Sequence, residues 1–314
     1  MASVDCLRLR DKEDHLCVSV SLWLIFTTET QRHREIKALD YPFADIELAR
    51  RLERTEARAN AQFVEARAKA SPEVGATWIA VAETYAMFDG VASPLTQTFG
   101  LGAFQIITAE DMDQIEEFFT SRGAGIYHEV CPLADQSAFT LLSERGYKPV
   151  EFSNVLYRPI SPDLRLDSQR NGDVKIRIIE KHEGERWAQT AFEGWCEFEE
   201  VAHMIREMGL VTVRSKALPF IAELQRNAIA TGALIINGDV ALLAGASTIP
   251  AARRQGAQLA LLEERLRYAA TQGCTIGMMV AQPGSGSQRN AERHGFRVAY
   301  TRTKWGQDLQ DSQG

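Results

Sequence analysis

A basic turn over residues 253–258, with the sequence RRQGAQ, lies between a strand-like run and a helical run. A helix N-terminus carries unpaired N–H groups and a partial positive charge, so it stabilises an anion. Arg253 and Arg254 add positive charge, and Gly256 lets the main chain approach a ligand without a Cβ in the way. The turn is therefore a candidate phosphate or pyrophosphate site. An ordinary polar strand-to-helix turn is the alternative that these residues alone leave open.

The elements that would position this turn follow a regular order. An Asn-Gly pair at 237–238 is a hairpin signal, and it leads into a predicted strand over 240–248. After the turn and its helix, the pattern predicts a strand over 275–280, a helix over 287–294 and a final pair of strands. The helix that follows the turn has an apolar face formed by Leu259, Leu262, Leu266 and Ala269.

This order of elements, together with the turn, resembles the GNAT superfamily of N-acetyltransferases. The acyl-CoA signature of that family is Arg/Gln-x-x-Gly-x-Gly/Ala, on the loop between the fourth strand and the third helix. Arg253 and Gly256 match the signature, whereas Gln258 stands where the family has a small residue and could crowd the phosphate contacts. The resemblance covers residues 174–306 and is strongest over 246–305.

The resemblance implies direct transfer of an acetyl group from acetyl-CoA to an amine, with no metal. Main-chain N–H groups of the turn would hold the pyrophosphate, and the preceding strand would pair with the pantetheine amide. Main-chain N–H groups near Ile249 would polarise the thioester. Asn290 matches a position that often contacts CoA, and a solvated helix Asn is its alternative. The predicted CoA site comprises Ser247, Thr248, Ile249, Arg253, Arg254, Gln255, Gly256, Ala257, Gln258 and Asn290.

Acid and base groups are less clearly marked. Amine acetylation needs a neutral amine and an acid for the departing thiolate. Many family members have a Tyr four residues before the glycine that ends the last helix, and here that residue is Ala291. Tyr300 is then a candidate acid, with a packing role as the alternative. Glu199, which lies in a cluster with Glu197 and Glu200, is a candidate base, and a solvated helix face is the alternative.

Two segments of the chain look alike. Residues 138–160 (AFTLLSERGYKPVEFSNVLYRPI) and 287–305 (SQRNAERHGFRVAYTRTKW) each read as a helix, a C-cap glycine, an aromatic residue and closing strands. Two copies at so long a period indicate domain duplication. The expected fold class is therefore α/β (α+β), with two GNAT-like domains, each a mixed, mostly antiparallel twisted sheet flanked by helices.

The predicted organisation has four parts. Residues 1–38 form an atypical extension, and one hypothesis is that it comes from a mis-assigned upstream translation start. A degenerate GNAT-like domain follows over 39–159. A polar linker over 160–173 then leads to an acetyl-CoA-binding domain over 174–314. In the first domain, the stretch where a basic turn should lie reads GLGAFQIITAED and has no Arg. Its acidic residues would repel phosphate, so we expect this domain to shape the acceptor side of the second.

The first domain also has its own local signals. Apolar residues recur at helical spacing from 48 to 66, which predicts a long amphipathic helix. The runs over 77–87 and 95–101, on either side of an Asp-Gly pair at 89–90, predict an antiparallel pair of strands. A helix over 109–120 and another over 135–145 are expected further along.

Composition limits the partners and the compartment. The net charge of −7 disfavours nucleic-acid binding. Five scattered cysteines without metal spacing favour a reducing cytoplasm, and the apolar run over 16–26 is too short to span a bilayer. We expect a cytoplasmic enzyme whose acceptor is a small-molecule or peptide amine, with the acidic balance mildly favouring a cationic one. The oligomeric state stays open, and a non-catalytic acyl-CoA-binding sensor or protein-interaction module is the alternative function.

Overall fold

The computed structural model describes residues 40–161 and 171–307. The predicted extension over 1–38 and the linker residues 162–170 lie outside the described residues. The first half contains α1 (Ile46–Ala70), β1 (Thr77–Val81), β2 (Thr84–Phe88), β3 (Gln97–Phe99), α2 (Ala109–Thr120), β4 (Ile126–Val130), α3 (Gln136–Glu144) and β5 (Lys148–Pro159). The second half contains β6 (Val174–Ile178), α4 (Gly184–Glu193), α5 (Glu199–Thr212), β7 (Leu218–Leu224), β8 (Asn227–Asn237), β9 (Val240–Thr248), α6 (Ala257–Thr271), β10 (Ile276–Ala281), α7 (Gly286–Arg293) and β11 (Arg297–Gln307).

The described strands form one eleven-stranded sheet, in the order β1-β2-β3-β4-β11-β5-β10-β9-β8-β7-β6. Only β3 with β4 and β9 with β10 are parallel pairs, which confirms the predicted mixed, mostly antiparallel fold class. The sheets of the two halves are continuous because their last strands change places. Strand β5 of the first half pairs with β10, and β11 of the second half pairs with β4.

The two halves repeat one order of elements, since β7 to β11 with their helices follow the sequence of β1 to β5. The repeated helix ends also have the same conformation. Gly146 and Gly295 have φ values of 78° and 77°. The N–H of the aromatic residue that follows each glycine donates to the helix, at 2.9 Å for Tyr147 and 3.0 Å for Phe296. The two helix ends thus share one local conformation, and duplication stays a prediction.

Strand β1 and strand β2 are a hairpin, so the prediction of one continuous strand over 77–87 was wrong. The turn residues Ala82 and Glu83 have φ values of 45° and 59°. Such a turn favours Asn and Gly, and neither residue type is present to signal it. The predicted antiparallel pairing across the Asp-Gly pair is confirmed, because β2 pairs with β3.

Helices cover both faces of the sheet. Alternate residues of β9 face opposite ways, so Leu242 packs in a cluster with α1, while Ala241 and Leu243 pack in a cluster with α6. Helix α4 contributes Trp187 to a further cluster on the side of α1. None of the described helices is both long and apolar enough to cross a bilayer.

Helix α1 lies across both halves of the sheet. Asp45 caps it by accepting hydrogen bonds from the N–H groups of Glu47 and Leu48, at 3.1 and 3.0 Å. The N-terminal part of α1 packs with residues of β9 and β10, and its C-terminal part packs with residues of β2 and β3. The predicted amphipathic helix is confirmed, and its apolar side joins the two halves.

A buried ion cluster ties α1 to the sheet. The Arg302 Nη1 atom lies 2.8 Å from Glu56 and 3.4 Å from Glu53, and its Nε lies 3.0 Å from Glu129 of β4. The Tyr300 hydroxyl donates to Glu53 at 2.8 Å. Burial raises the pKa of Glu53, and the charge of Arg302 opposes that shift. The guanidinium of Arg302 therefore compensates carboxylates that have left water.

We expect Arg302→Met to lower the free energy of unfolding by about 3–5 kcal/mol, because it leaves buried carboxylates without a counter-ion. The matched control is Arg51→Met, which removes an exposed ion pair between α1 and Asp239, at 2.7 Å. That control should cost less than about 1 kcal/mol. Urea unfolding measures the free energy of unfolding of both variants. Equal losses would contradict the role of Arg302 as counter-ion of the buried carboxylates.

The loss of unfolding free energy in Arg302→Met, relative to the wild type, should become smaller as the pH falls. The pKa of Glu53 is already raised in the folded protein. Removal of the cation raises it further, so the folded variant binds more protons than the unfolded chain as the carboxyl titrates. Stability then increases on acidification through that range. A difference from the wild type that stays constant between neutral and mildly acidic pH would contradict this explanation.

Candidate functional site

The parallel strands β9 and β10 separate part of the way along their length. They pair only from Val240 with Ile276 to Leu242 with Met278. Beyond this point β9 continues beside β8 alone, and the end of β10 continues beside β5. A gap therefore opens between β9 and β10 on the side where β9 leads into the turn over 250–256.

A β-bulge in β9 lies next to this gap. The pairing of β8 with β9 shifts between Thr231 opposite Ser247 and Ala233 opposite Ala244. Two residues of β9, Gly245 and Ala246, thus lie opposite one residue of β8. Gly245 has a φ of 60°, a conformation that glycine adopts without a steric penalty. A bulge bends its strand and leaves the extra residue outside the ladder, which fits the departure of β9 from β10.

Arg265 of α6 holds the two strands at this bulge. Its Nη1 donates to the carbonyl oxygens of Ala233 and Ala244 at 3.0 and 3.1 Å, and its Nε donates to Leu261 at 3.1 Å. The side chain is buried, and burial lowers its pKa to about 10, so it stays charged at neutral pH. Sequence reasoning missed Arg265, although its position on the apolar stripe between Leu262 and Ala269 was a usable signal.

The basic turn leaves the N-terminus of α6 without a side-chain cap. Gly256 is the N-cap residue, and the first turn of the helix contains no acidic residue. Arg254 and Gly256 both have positive φ, of 65° and 81°. Left-handed residues in such a turn direct successive main-chain N–H groups into a concavity that suits an anion. The turn thus has the geometry expected of a phosphate site.

The equivalent position of the first half has the opposite character. At the start of α2, Thr108 and Asp111 form a capping box, in which the Asp111 N–H donates to Thr108 at 3.2 Å and the Thr108 N–H donates to Asp111 at 3.0 Å. Glu110 adds a second carboxylate to this turn. The N–H groups that an anion would need are used internally, and the local charge is negative.

Gln258 folds back onto β9. Its side-chain amide donates to the Ser247 carbonyl oxygen at 2.9 Å and to the Thr248 hydroxyl at 2.6 Å. The side chain thus joins the first turn of α6 to the end of β9. The sequence suggested that Gln258 could crowd the phosphate contacts. In the structure its amide is held at β9.

Arg253 is engaged by the segment that follows α4. Its Nη1 lies 2.6 Å from a carboxylate oxygen of Glu197, and its Nη2 donates to the Gly194 carbonyl oxygen at 3.2 Å. Gly194 itself lies against β9, where a Cβ would come within 1.8 Å of the Ser247 hydroxyl oxygen. Both partners of the ion pair are about half exposed, at 45% and 51%. An anion at the turn would compete with Glu197 for Arg253.

The remaining predicted CoA residues are spread around the turn. Ile249 donates its N–H to the Ile229 carbonyl oxygen at 3.0 Å, so this donor is used within the sheet. The carbonyl oxygen of Gln255 accepts from the Asn171 side chain at 3.3 Å, and Ala257 is the buried first residue of α6. Asn290 lies on α7, where its carbonyl oxygen accepts from His294 Nδ1 at 2.6 Å.

Of the two predicted catalytic residues, the structure describes the side chain of Tyr300. The Tyr300 hydroxyl is buried against Glu53, and burial raises its pKa well above the ordinary value, which makes it a weak acid. Glu199 is the first residue of α5, and its side chain lies outside the described part of the chain. Among the described residues, no group of three or more His, Cys, Asp or Glu side chains could hold a metal ion.

A cavity of about 360 Å³ lies on the other side of the bulge, between α1, α4, α5 and the strands β8 and β9. Ala246 and Ser247 of the bulged strand form part of its wall, together with Phe63 of α1 and Met208 of α5. Sequence reasoning missed this cavity, because its lining comes from elements far apart in the chain. It places a ligand-sized space directly beside the strand that ends at the basic turn.

No protein-family model and no curated protein sequence matches the chain. Among solved structures, a GCN5-related N-acetyltransferase from Kribbella flavida is similar, with 16% identity, a TM-score of 0.53 and coverage of 80% of this chain and 97% of that one. A tandem GNAT protein from the clavulanic acid biosynthesis pathway is 11% identical, with a TM-score of 0.50 and coverage of 71% and 78%. The chain therefore has the fold of the GNAT N-acetyltransferases, as the resemblance in its sequence predicts.

Proposed function

We propose that the chain transfers the acetyl group of acetyl-CoA to the nitrogen of an amine. The observation that carries this proposal is the gap between β9 and β10, which opens beside the uncapped, basic N-terminus of α6. A strand edge and a turn rich in free N–H groups suit a long ligand with a diphosphate at one end. The fold of the chain, which it shares with N-acetyltransferases, supports the same assignment.

The residues present fit acetyl-CoA as the donor substrate. We assign its pyrophosphate to the main-chain N–H groups over 254–258, because the Arg253 N–H donates to the Pro250 carbonyl oxygen at 3.2 Å. The side chains of Arg253 and Arg254 add charge, and we assign the pantetheine to the end of β9. When bound, it supplies an activated acyl thioester. Because the Ile249 N–H is used within the sheet, we assign polarisation of the thioester carbonyl to the main chain of Gly245 and Ala246, which lie outside the β8 ladder.

The acceptor amine would enter the cavity beside the bulge. Its wall includes residues of β9 and also Phe63 and Leu95, which belong to the first half. We therefore propose that the predicted domain over 39–159 closes the acceptor side of the predicted domain over 174–314. The capped, acidic start of α2 supports the view that the first half binds no CoA of its own.

Calorimetric titration with acetyl-CoA tests the donor site. The wild type should bind, and Gly256→Trp should weaken binding at least tenfold, because the side chain would cover the N–H groups of the turn. The control is Gly273→Trp at the other end of α6, where φ is 79° and no atom lies within 4 Å of the Cβ position. It should bind as the wild type does.

Failure of the wild type to bind would remove the proposal. If the wild type binds acetyl-CoA but releases no free CoA with any amine, the alternative of an acyl-CoA-binding sensor is favoured. Equal binding by Gly256→Trp would place the donor away from the turn.

Glu197→Gln should tighten acetyl-CoA binding about two- to fivefold, since it frees Arg253 from an exposed ion pair of modest strength. The matched control is Glu185→Gln, which breaks another exposed ion pair, that with Arg206 at 3.0 Å. The control should bind as the wild type does. The same calorimetry measures both, and unchanged or weaker binding by Glu197→Gln would contradict a phosphate contact for Arg253.

A further inference from the structure

We infer that the acceptor is a small apolar primary amine that is uncharged at neutral pH, of which aromatic amines are the simplest class. This inference rests on the proposed acetyl transfer and names the substrate class of that site. It is carried by the chemistry of the cavity beside the bulge.

The described lining of the cavity is mostly apolar and contains no ionisable side chain. Its volume of about 360 Å³ is at the lower end of the range for ligand pockets. Among the side chains that the structure describes there, none is Asp, Glu, His, Lys, Arg, Tyr or Cys. Phe63, Ile205, Met208 and Trp195 provide much of the apolar wall. An ammonium ion would lose its hydration in this cavity without gaining a carboxylate partner.

Most of the polar groups in the lining are already used. The hydroxyl of Ser247 donates to the Ala191 carbonyl oxygen at 3.0 Å. The Thr212 hydroxyl donates to Met208 at 2.8 Å, and the Ser215 hydroxyl donates to Thr212 at 2.7 Å. The carboxamide of Asn60, on α1, also lines the cavity, and no described residue is hydrogen-bonded to it. Its oxygen is free to accept a hydrogen bond from a neutral amine N–H.

The absence of an ionisable lining among the described residues agrees with the chemistry of a neutral amine. The lone pair of such an amine attacks the thioester carbon without prior deprotonation. The new C–N bond forms, the C–S bond breaks, and a proton from the nitrogen ends on the sulfur of the departing thiol. The step requires neither a side-chain base nor an acid at Ala291, and it needs no oxidant or reductant.

Two neighbouring exposed aromatic rings favour a flat acceptor. Trp195 lines the cavity and is 36% exposed, and Phe198, at 60% exposed, lies near it with 6.5 Å between the ring centroids. Exposed aromatic faces of this kind bind planar apolar groups. The aromatic ring of an arylamine would pack against both these rings and the apolar wall.

Aniline and cyclohexylamine are matched probes, because both have six ring carbons and a primary amine, but only cyclohexylamine is protonated at neutral pH. With acetyl-CoA, the wild type should acetylate aniline with a kcat/KM at least 100-fold above that of cyclohexylamine or spermidine. Release of free CoA measures each rate. Calorimetry measures binding of each amine to the wild type without acetyl-CoA, and aniline should bind more tightly.

Asn60→Asp should weaken this preference, since it places a carboxylate in the cavity with almost no change in shape. The ratio of kcat/KM for aniline to that for cyclohexylamine should fall at least tenfold. Gln62→Glu is the matched control, because Gln62 lies on the same helix and is not among the residues lining the cavity. The control should keep the wild-type ratio. If Asn60→Asp fails to fold, Met208→Asp makes the same test from α5.

The outcomes separate this inference from the proposed function. Faster turnover of cyclohexylamine or spermidine by the wild type would overturn the inference and leave the acetyltransferase standing. Absence of aniline binding would also overturn it. If aniline binds but acetyl-CoA does not, the specificity of the cavity is supported while the proposed function fails.

Discussion

A buried guanidinium holds the sheet at the point where it becomes irregular. Arg265 donates to carbonyl oxygens of both β8 and β9, beside the residues where their register shifts. Carbonyls at a bulge lose ladder partners, and unpaired buried carbonyls are costly, so the donors of Arg265 make the irregularity stable. Because β9 is held in this bent form, it leaves β10, and the gap and the cavity lie on either side of it. Regular pairing here would close the gap.

The two halves depend on each other in the same region. Their last strands change places in one sheet, and α1 crosses both halves, supported by the buried cluster around Arg302. At the start of α2 the first half has no uncapped turn, since Thr108 and Asp111 cap this helix. It nevertheless provides Asn60 and Phe63 to the cavity. The described lining of the cavity therefore combines residues of both halves.

Long periodic elements and local backbone signals were predictable from the sequence, whereas distant pairing was not. The apolar period predicted α1, and Gly256 marked the turn before α6. The hairpin at Ala82 and Glu83 lacks the residue types that announce positive φ. No local sequence signal predicts that β5 pairs with β10, because strand pairing between remote segments is decided by the assembled core. Tyr300 was ambiguous for the same reason, since its partner Glu53 lies far away in the chain.

Net charge and site charge describe different parts of this molecule. The chain carries a net charge of −7, which at the sequence level favours a cationic acceptor. Carboxylates such as Glu53, Glu56 and Glu129 are paired with Arg302 inside the protein, and Glu197 is paired with Arg253 at the turn. The cavity receives none of this charge from its described lining. The acidic balance governs which molecules approach through solution. Under the proposed acetyl transfer, desolvation at the cavity wall favours a neutral apolar amine, because such an amine loses least hydration there.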